Sequence, residues 1–244
     1  MWLHAGPLTH ASGLFVLPHV AVGACQVVLP HFDPAGVLDL MERRRVTGTV
    51  LVPTMVERLL AEGLATRGGA VRRGSLAGRG GPAGRATLAG RDLSSLTRVA
   101  YAGAPMAPDR IQAANQALGN TMVQFYGMVE AIPPLTVLRQ ADHARPERLG
   151  SAGRSVLGAE LELVDEAGDQ VPDGVEGELV VRGDHVMAGY WGLEDATGKA
   201  LRDGALWTGD MARRTEDGYV TIIEQSRARR SPAAGRRRPA RSPG

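Results

Sequence analysis

A chain of 244 residues, 43% of them hydrophobic, can bury one large core or two modest ones. Its single cysteine, Cys25, excludes an internal disulfide and a cysteine-based zinc site; in an apolar run it is expected as a small buried hydrophobe. The formal net charge of +2 hides a division, because residues 67–91 hold six Arg and no acid and residues 224–244 hold seven Arg and one acid. The rest is acidic, so the basic total does not argue for a nucleic-acid partner.

From the start, residues 14–30 are the longest apolar stretch, but Pro18, His19 and Gln26 interrupt it. It fits neither a membrane span nor a signal peptide, and the chain reads as soluble and cytoplasmic. Residues 24–29 read as a strand. Asp33 then offers an N-cap with Pro34 at the first helical position, and Val37, Leu38, Leu40 and Met41 share one face of a helix that closes on Arg43, Arg44 and Arg45. A strand over 46–52, a helix over 55–62, a strand over 98–101, a helix over 109–118 and a strand over 121–125 follow. Alternation of this kind predicts an α/β fold, a parallel sheet with flanking helices, through residue 144.

Beyond residue 145 the helical period gives way to short strands and Gly-, Asp- and Pro-rich turns. Strands over 161–164, 177–182, 206–212 and 219–223 predict a small antiparallel β subdomain spanning 145–223. Residues 67–91 and the Arg/Pro-rich tail, 224–244, lack apolar periodicity and are expected to be disordered. The abrupt change of composition after Ile223 is what off-frame reading of a GC-rich gene would produce, with a genuine basic linker as the alternative.

Four motifs carry the chemistry. Pro7-Leu8-Thr9-His10-Ala11-Ser12-Gly13 holds one histidine among small residues. Ala102-Gly103-Ala104-Pro105-Met106 follows a predicted strand, and a turn of tiny residues there lets a flat group approach the backbone. Gln124-Phe125-Tyr126-Gly127-Met128-Val129-Glu130 ends the next strand, and Trp207-Thr208-Gly209-Asp210 leads into Asp217-Gly218-Tyr219. In this order and at these spacings the motifs resemble those of the AMP-forming acyl-CoA synthetases. An unrelated reading of each alone, as a packed histidine, an ordinary loop or a turn aspartate, requires four coincidences together.

The resemblance implies ATP and AMP as nucleotide, Mg²⁺, a small carboxylic acid and CoA as partners, and a large adenylate-forming α/β domain. By the same resemblance His10 lies near the acyl group, Gly103, Ala104 and Pro105 run along the adenine, and Tyr126 stacks on it beside Gly127. Asp210 accepts both ribose hydroxyls, which suits a carboxylate with two acceptor oxygens, and Glu130 helps hold the hard Mg²⁺. Two departures stand out. Val129 occupies the place of a threonine whose hydroxyl meets the α-phosphate, and Lys199, the only lysine, matches neither lysine of the family. The family's phosphate loop, expected before residue 7, and its hinge and C-terminal domain, expected after residue 223, find no match, and Gln225 stands near the place of a ribose-binding arginine. The resemblance covers the middle of a family member, from which little or no turnover by this chain alone is expected. A nucleotide-binding or regulatory remnant is the alternative. A Gly-x-Ser-x-Gly hydrolase elbow is absent, and the Arg-rich segments lack the interleaved aromatics of a nucleic-acid binder.

Overall fold

The computed structural model describes residues 1–65, 87–88 and 90–225. Its larger sheet begins with β1 (Trp2–His4), β2 (Gln26–Val28) and β3 (Gly48–Leu51), joined by the short α1 (Val16–Ala21) and the amphipathic α2 (Pro34–Arg43). Asp33 caps α2 as its sequence requires, its Oδ2 accepting from Gly36 N at 2.8 Å, and Val37, Leu38 and Met41 are buried. After α3 (Pro53–Ala65) comes a hairpin, β4 (Thr87–Leu88) with β5 (Arg91–Asp92), then β6 (Arg98–Tyr101), α4 (Pro108–Ala117), β7 (Met122–Tyr126), β8 (Thr136–Leu138) and β9 (Arg154–Ser155). The strand order is β2-β1-β3-β6-β7-β8-β9. The first five are parallel, and β8 and β9 are added antiparallel.

Alternation along each strand divides the core. Leu3, Leu51, Val99, Tyr101 and Met122 pack under α2, α3 and α4 with Met41, Leu59 and Ile111. On the other face Trp2, Val50 and Ala100 meet Phe15 and Phe125, and Phe15 stacks between Trp2 at 4.9 Å and Phe125 at 5.7 Å. Helices therefore cover both faces, as parallel strands require.

The change of sheet falls between Ser155 and Glu160. There β10 (Glu160–Val164), β11 (Glu176–Arg182), β12 (Leu201–Arg202), β13 (Ala205–Arg214) and β14 (Val220–Glu224) form an antiparallel sheet, with α5 (Glu194–Ala200) before β12. Leu163, Leu179, Val181, Leu206, Ala212 and Val220 share a core with Tyr126, Ala131 and Leu135, which fastens this sheet to the end of β7. No helix among the described residues is long and apolar enough to cross a membrane.

Three expectations need correction. Cys25 is exposed, because its apolar run supplies β2, an edge strand that pairs on one side only among the described residues. Disorder does not extend through residue 91: Leu88 is buried, and Arg91 pairs with Asp39 at 3.0 Å and Glu42 at 3.3 Å on α2. These acids provide the order that the segment's own composition does not. Glu224 likewise belongs to β14 rather than to a tail. The remaining expectations of disorder, for residues 67–86 and 89 and for residues 226–244, lie outside the described residues.

Candidate functional site

The loops after β1, β3, β6 and β7 leave the sheet at its carboxyl edge, the side at which open parallel sheets place ligands. His10 follows β1 and precedes a 3₁₀ turn, Ala11–Phe15. It is exposed, and its Nδ1 bonds the Thr9 hydroxyl at 3.0 Å. The buried His4 anchors the loop, its Nδ1 lying 3.1 Å from Ser12 O and 3.3 Å from the Ser12 hydroxyl and its Nε2 2.7 Å from Gln26 Oε1. The Gln26 amide donates to Val16 O at 3.2 Å, which ties the start of β2 to α1.

After β6 the chain turns through Gly103, Ala104 and Pro105, all exposed. Gly103 has φ +90°, a conformation costly for any residue with a Cβ, so the bare backbone of this turn is a requirement of its geometry. On the neighbouring strand Tyr126 is the last residue of β7 and is 8% exposed. Its hydroxyl donates to Asp210 Oδ2 at 2.7 Å across 84 residues of sequence. Burial, and then the adjoining Asp210 carboxylate, push the Tyr126 hydroxyl well above the usual phenol range.

Asp210 reaches this position through a bulge. Glu178 pairs with Met211 and Val180 with Trp207, so Thr208, Gly209 and Asp210 stand opposite Leu179 alone. Bulges re-aim side chains and leave ladder groups unpaired. Here side chains satisfy them: Thr208 Oγ1 donates to Leu179 O at 2.6 Å and accepts from Asp210 N at 3.1 Å, while Glu178 Oε1 accepts from Gly209 N at 2.8 Å. The Thr-Gly-Asp sequence is thus the bulge itself, with Gly209 at φ +73°.

Glu130 lies in the one-turn helix Val129–Ala131 and is 6% exposed, with Oε1 accepting from the Tyr190 hydroxyl at 2.9 Å. Val129 beside it is 80% exposed. No cluster of three or more His, Cys, Asp or Glu able to hold a metal occurs among the described residues. A single carboxylate suits Mg²⁺ that arrives with phosphate oxygens and water as its other ligands, so the donor set fits a nucleotide-borne ion.

Of the residues singled out by sequence, the structure brings Tyr126 and Asp210 into contact. Glu130 and Gly127 lie in the loop leaving the same strand, and His10 and the Gly103 turn stand in separate loops at the same sheet edge. Tyr190 and Glu178 were not foreseen. Gly189-Tyr190-Trp191 and Gly177-Glu178-Leu179 fall in the order of the family resemblance as structural rather than catalytic segments, and nothing local in them signals a contact with Glu130 or with a bulge.

The family model for AMP-binding enzymes matches residues 1–191. A medium/long-chain-fatty-acid–CoA ligase of Mycobacterium tuberculosis is 37% identical over 224 residues, 92% of this chain and 35% of the ligase. An amide bond synthetase from Marinactinospora thermotolerans superposes with a TM-score of 0.78 at 33% identity, covering 92% of this chain and 40% of that one. The o-succinylbenzoate coenzyme A synthetase of Bacillus subtilis, solved with ATP and magnesium ion, gives 0.73 at 25% identity over 92% and 41%. The chain spans well under half the length of the relatives it matches. With the motifs in order and the adenylate-forming fold in place, this chain belongs to the AMP-binding enzyme family.

Proposed function

We propose that these residues form the adenine and ribose floor of an AMP-forming acyl-CoA ligase. In the parent reaction a carboxylate oxygen attacks the α-phosphorus of ATP, the bond to the β-phosphate oxygen breaks, and acyl-AMP and pyrophosphate form. The CoA thiol then adds to the acyl carbon and AMP leaves. Adenylation converts a poor electrophile into one with a good leaving group, and catalysis is mainly positioning and electrostatics.

In this reading the Gly103–Pro105 backbone and the Tyr126 ring take the adenine. Asp210 takes the ribose hydroxyls, His10 borders the acyl group, and Glu130 faces the metal. Magnesium, when bound, offsets phosphate charge. The observation that carries the reading is the Tyr126–Asp210 contact, which places an aromatic ring and a two-oxygen acceptor side by side at the carboxyl end of a parallel strand. The use of ATP goes with a cytoplasmic setting.

A second reading, nucleotide binding without turnover by these 244 residues alone, is favoured by two features. Lys199, the only lysine, is exposed on α5 and belongs to none of the motifs that carry the nucleotide reading. Val129 offers no hydroxyl to an α-phosphate, a loss of about 1.5–3 kcal/mol for a charged hydrogen bond. Calorimetric titration with AMP tests the common core of both readings. Wild type is expected to bind AMP weakly and Asp210→Ala to bind at least tenfold more weakly; equal heats for the two proteins would remove Asp210 from the site.

A further inference from the structure

We infer that Tyr190 is a positioning residue for Glu130, holding the metal-facing carboxylate of the proposed site in one orientation. The inference rests on the nucleotide reading above and extends it to a side chain from the second sheet.

Glu130 is fixed at both ends by a single segment. Its carbonyl accepts from Met187 N at 2.8 Å, and its Oε1 accepts from the Tyr190 hydroxyl at 2.9 Å. The segment is itself braced: Tyr190 N donates to Thr197 Oγ1 at 2.9 Å, and that hydroxyl donates to Leu193 O at 3.0 Å at the start of α5. Gly189 allows the approach, since its φ is +151° and a Cβ there would stand 2.8 Å from Thr197 Cγ2. The result is a continuous support running from α5 through Thr197 and Tyr190 to Glu130.

The chemistry explains the choice of group. A phenol engages one carboxylate oxygen without neutralising the charge, so the other oxygen and the negative charge remain available to a cation. A lysine or arginine in the same place would satisfy the carboxylate and compete with the ion. Groups that orient a metal-binding side chain typically change metal affinity by about 10- to 100-fold when removed. Glu130 is here a single carboxylate sharing its ion with phosphates, so the low end of that range applies.

The test uses the 244-residue chain, with Mn²⁺ replacing Mg²⁺ so that electron paramagnetic resonance reports bound ion. Two dissociation constants are measured, for Mn·ATP and for AMP without metal, in wild type, Tyr190→Phe, Glu130→Gln and the double variant. Tyr190→Phe is expected to weaken Mn·ATP about tenfold and to leave AMP within about twofold of wild type. In the Glu130→Gln background it should have no further effect on Mn·ATP, because the group it orients is gone. An unchanged Mn·ATP constant, equal losses for Mn·ATP and AMP, or additive effects of the two substitutions would overturn the positioning role while leaving the nucleotide site standing. Failure of wild type to bind either ligand would instead overturn the nucleotide reading, and the inference with it.

Discussion

At Gly127 an added Cβ would stand 2.7 Å from Pro133 Cβ and 3.2 Å from Leu135 N. The loop folds back tightly here, with Leu135 N donating to Tyr126 O at 2.8 Å. Overpacking of this kind costs about 1–3 kcal/mol, and Gly127→Ala is expected to lower the stability read from urea unfolding by that amount with an unchanged slope. A loss under 0.5 kcal/mol would mean that the loop yields without strain. In sequence Gly127 is visible only as part of a family motif, whereas the structure adds a packing reason independent of any nucleotide. Tyr126 and Asp210 were equally visible as motif residues, but their contact was not, since nothing local joins two positions 84 residues apart. The pairing of Glu130 with Tyr190 was hidden for the same reason.

Elements with strong local signals were readable in detail. Helix α2 announced its start through Asp33 and Pro34 and its buried face through Val37, Leu38 and Met41. The bulge in β13 was not readable, because Leu206 to Ala212 keeps enough apolar residues to look like a plain strand, and the two extra residues show only against the partner strand. The 3₁₀ helix Gln140–Ala144 was also missed, and it carries the buried His143. His143 Nδ1 donates to Arg139 O at 2.9 Å, and Nε2 meets the Tyr101 hydroxyl at 3.1 Å. Burial holds this imidazole below its ordinary value of 6.5, against smaller opposing effects of Arg139 O and Asp142. A depressed histidine favours the neutral folded form, so its contribution is complete above pH 6.5 and declines as pH falls through that value toward the lower folded one. Unfolding free energies measured across this range should fall on acidification in wild type, and the slope should be shallower in His143→Gln. Equal slopes would show that His143 takes up protons alike in the folded and unfolded states, so that burial does not depress it.

Over the whole molecule, the alternation of strand and helix followed by short antiparallel strands revealed both architectures. Strand order did not follow from it: a buried strand shows its burial in sequence, not its neighbours, so the placing of β1 between β2 and β3 needed the structure. The antiparallel strand β9, only two residues long, carries no pattern at all. Leu17 and Val20 on α1, Val22 just after it and Val28 on β2 are exposed, a feature that composition alone could not locate. What joins the two sheets into one site is the meeting of β7 with the β13 bulge. A crystal structure of the chain grown with AMP tests this most directly. The account predicts adenine against the Tyr126 ring and the Gly103–Pro105 backbone, with both ribose hydroxyls about 2.7 Å from the Asp210 carboxylate. AMP bound elsewhere, or bound here with its ribose turned away from Asp210, would contradict it.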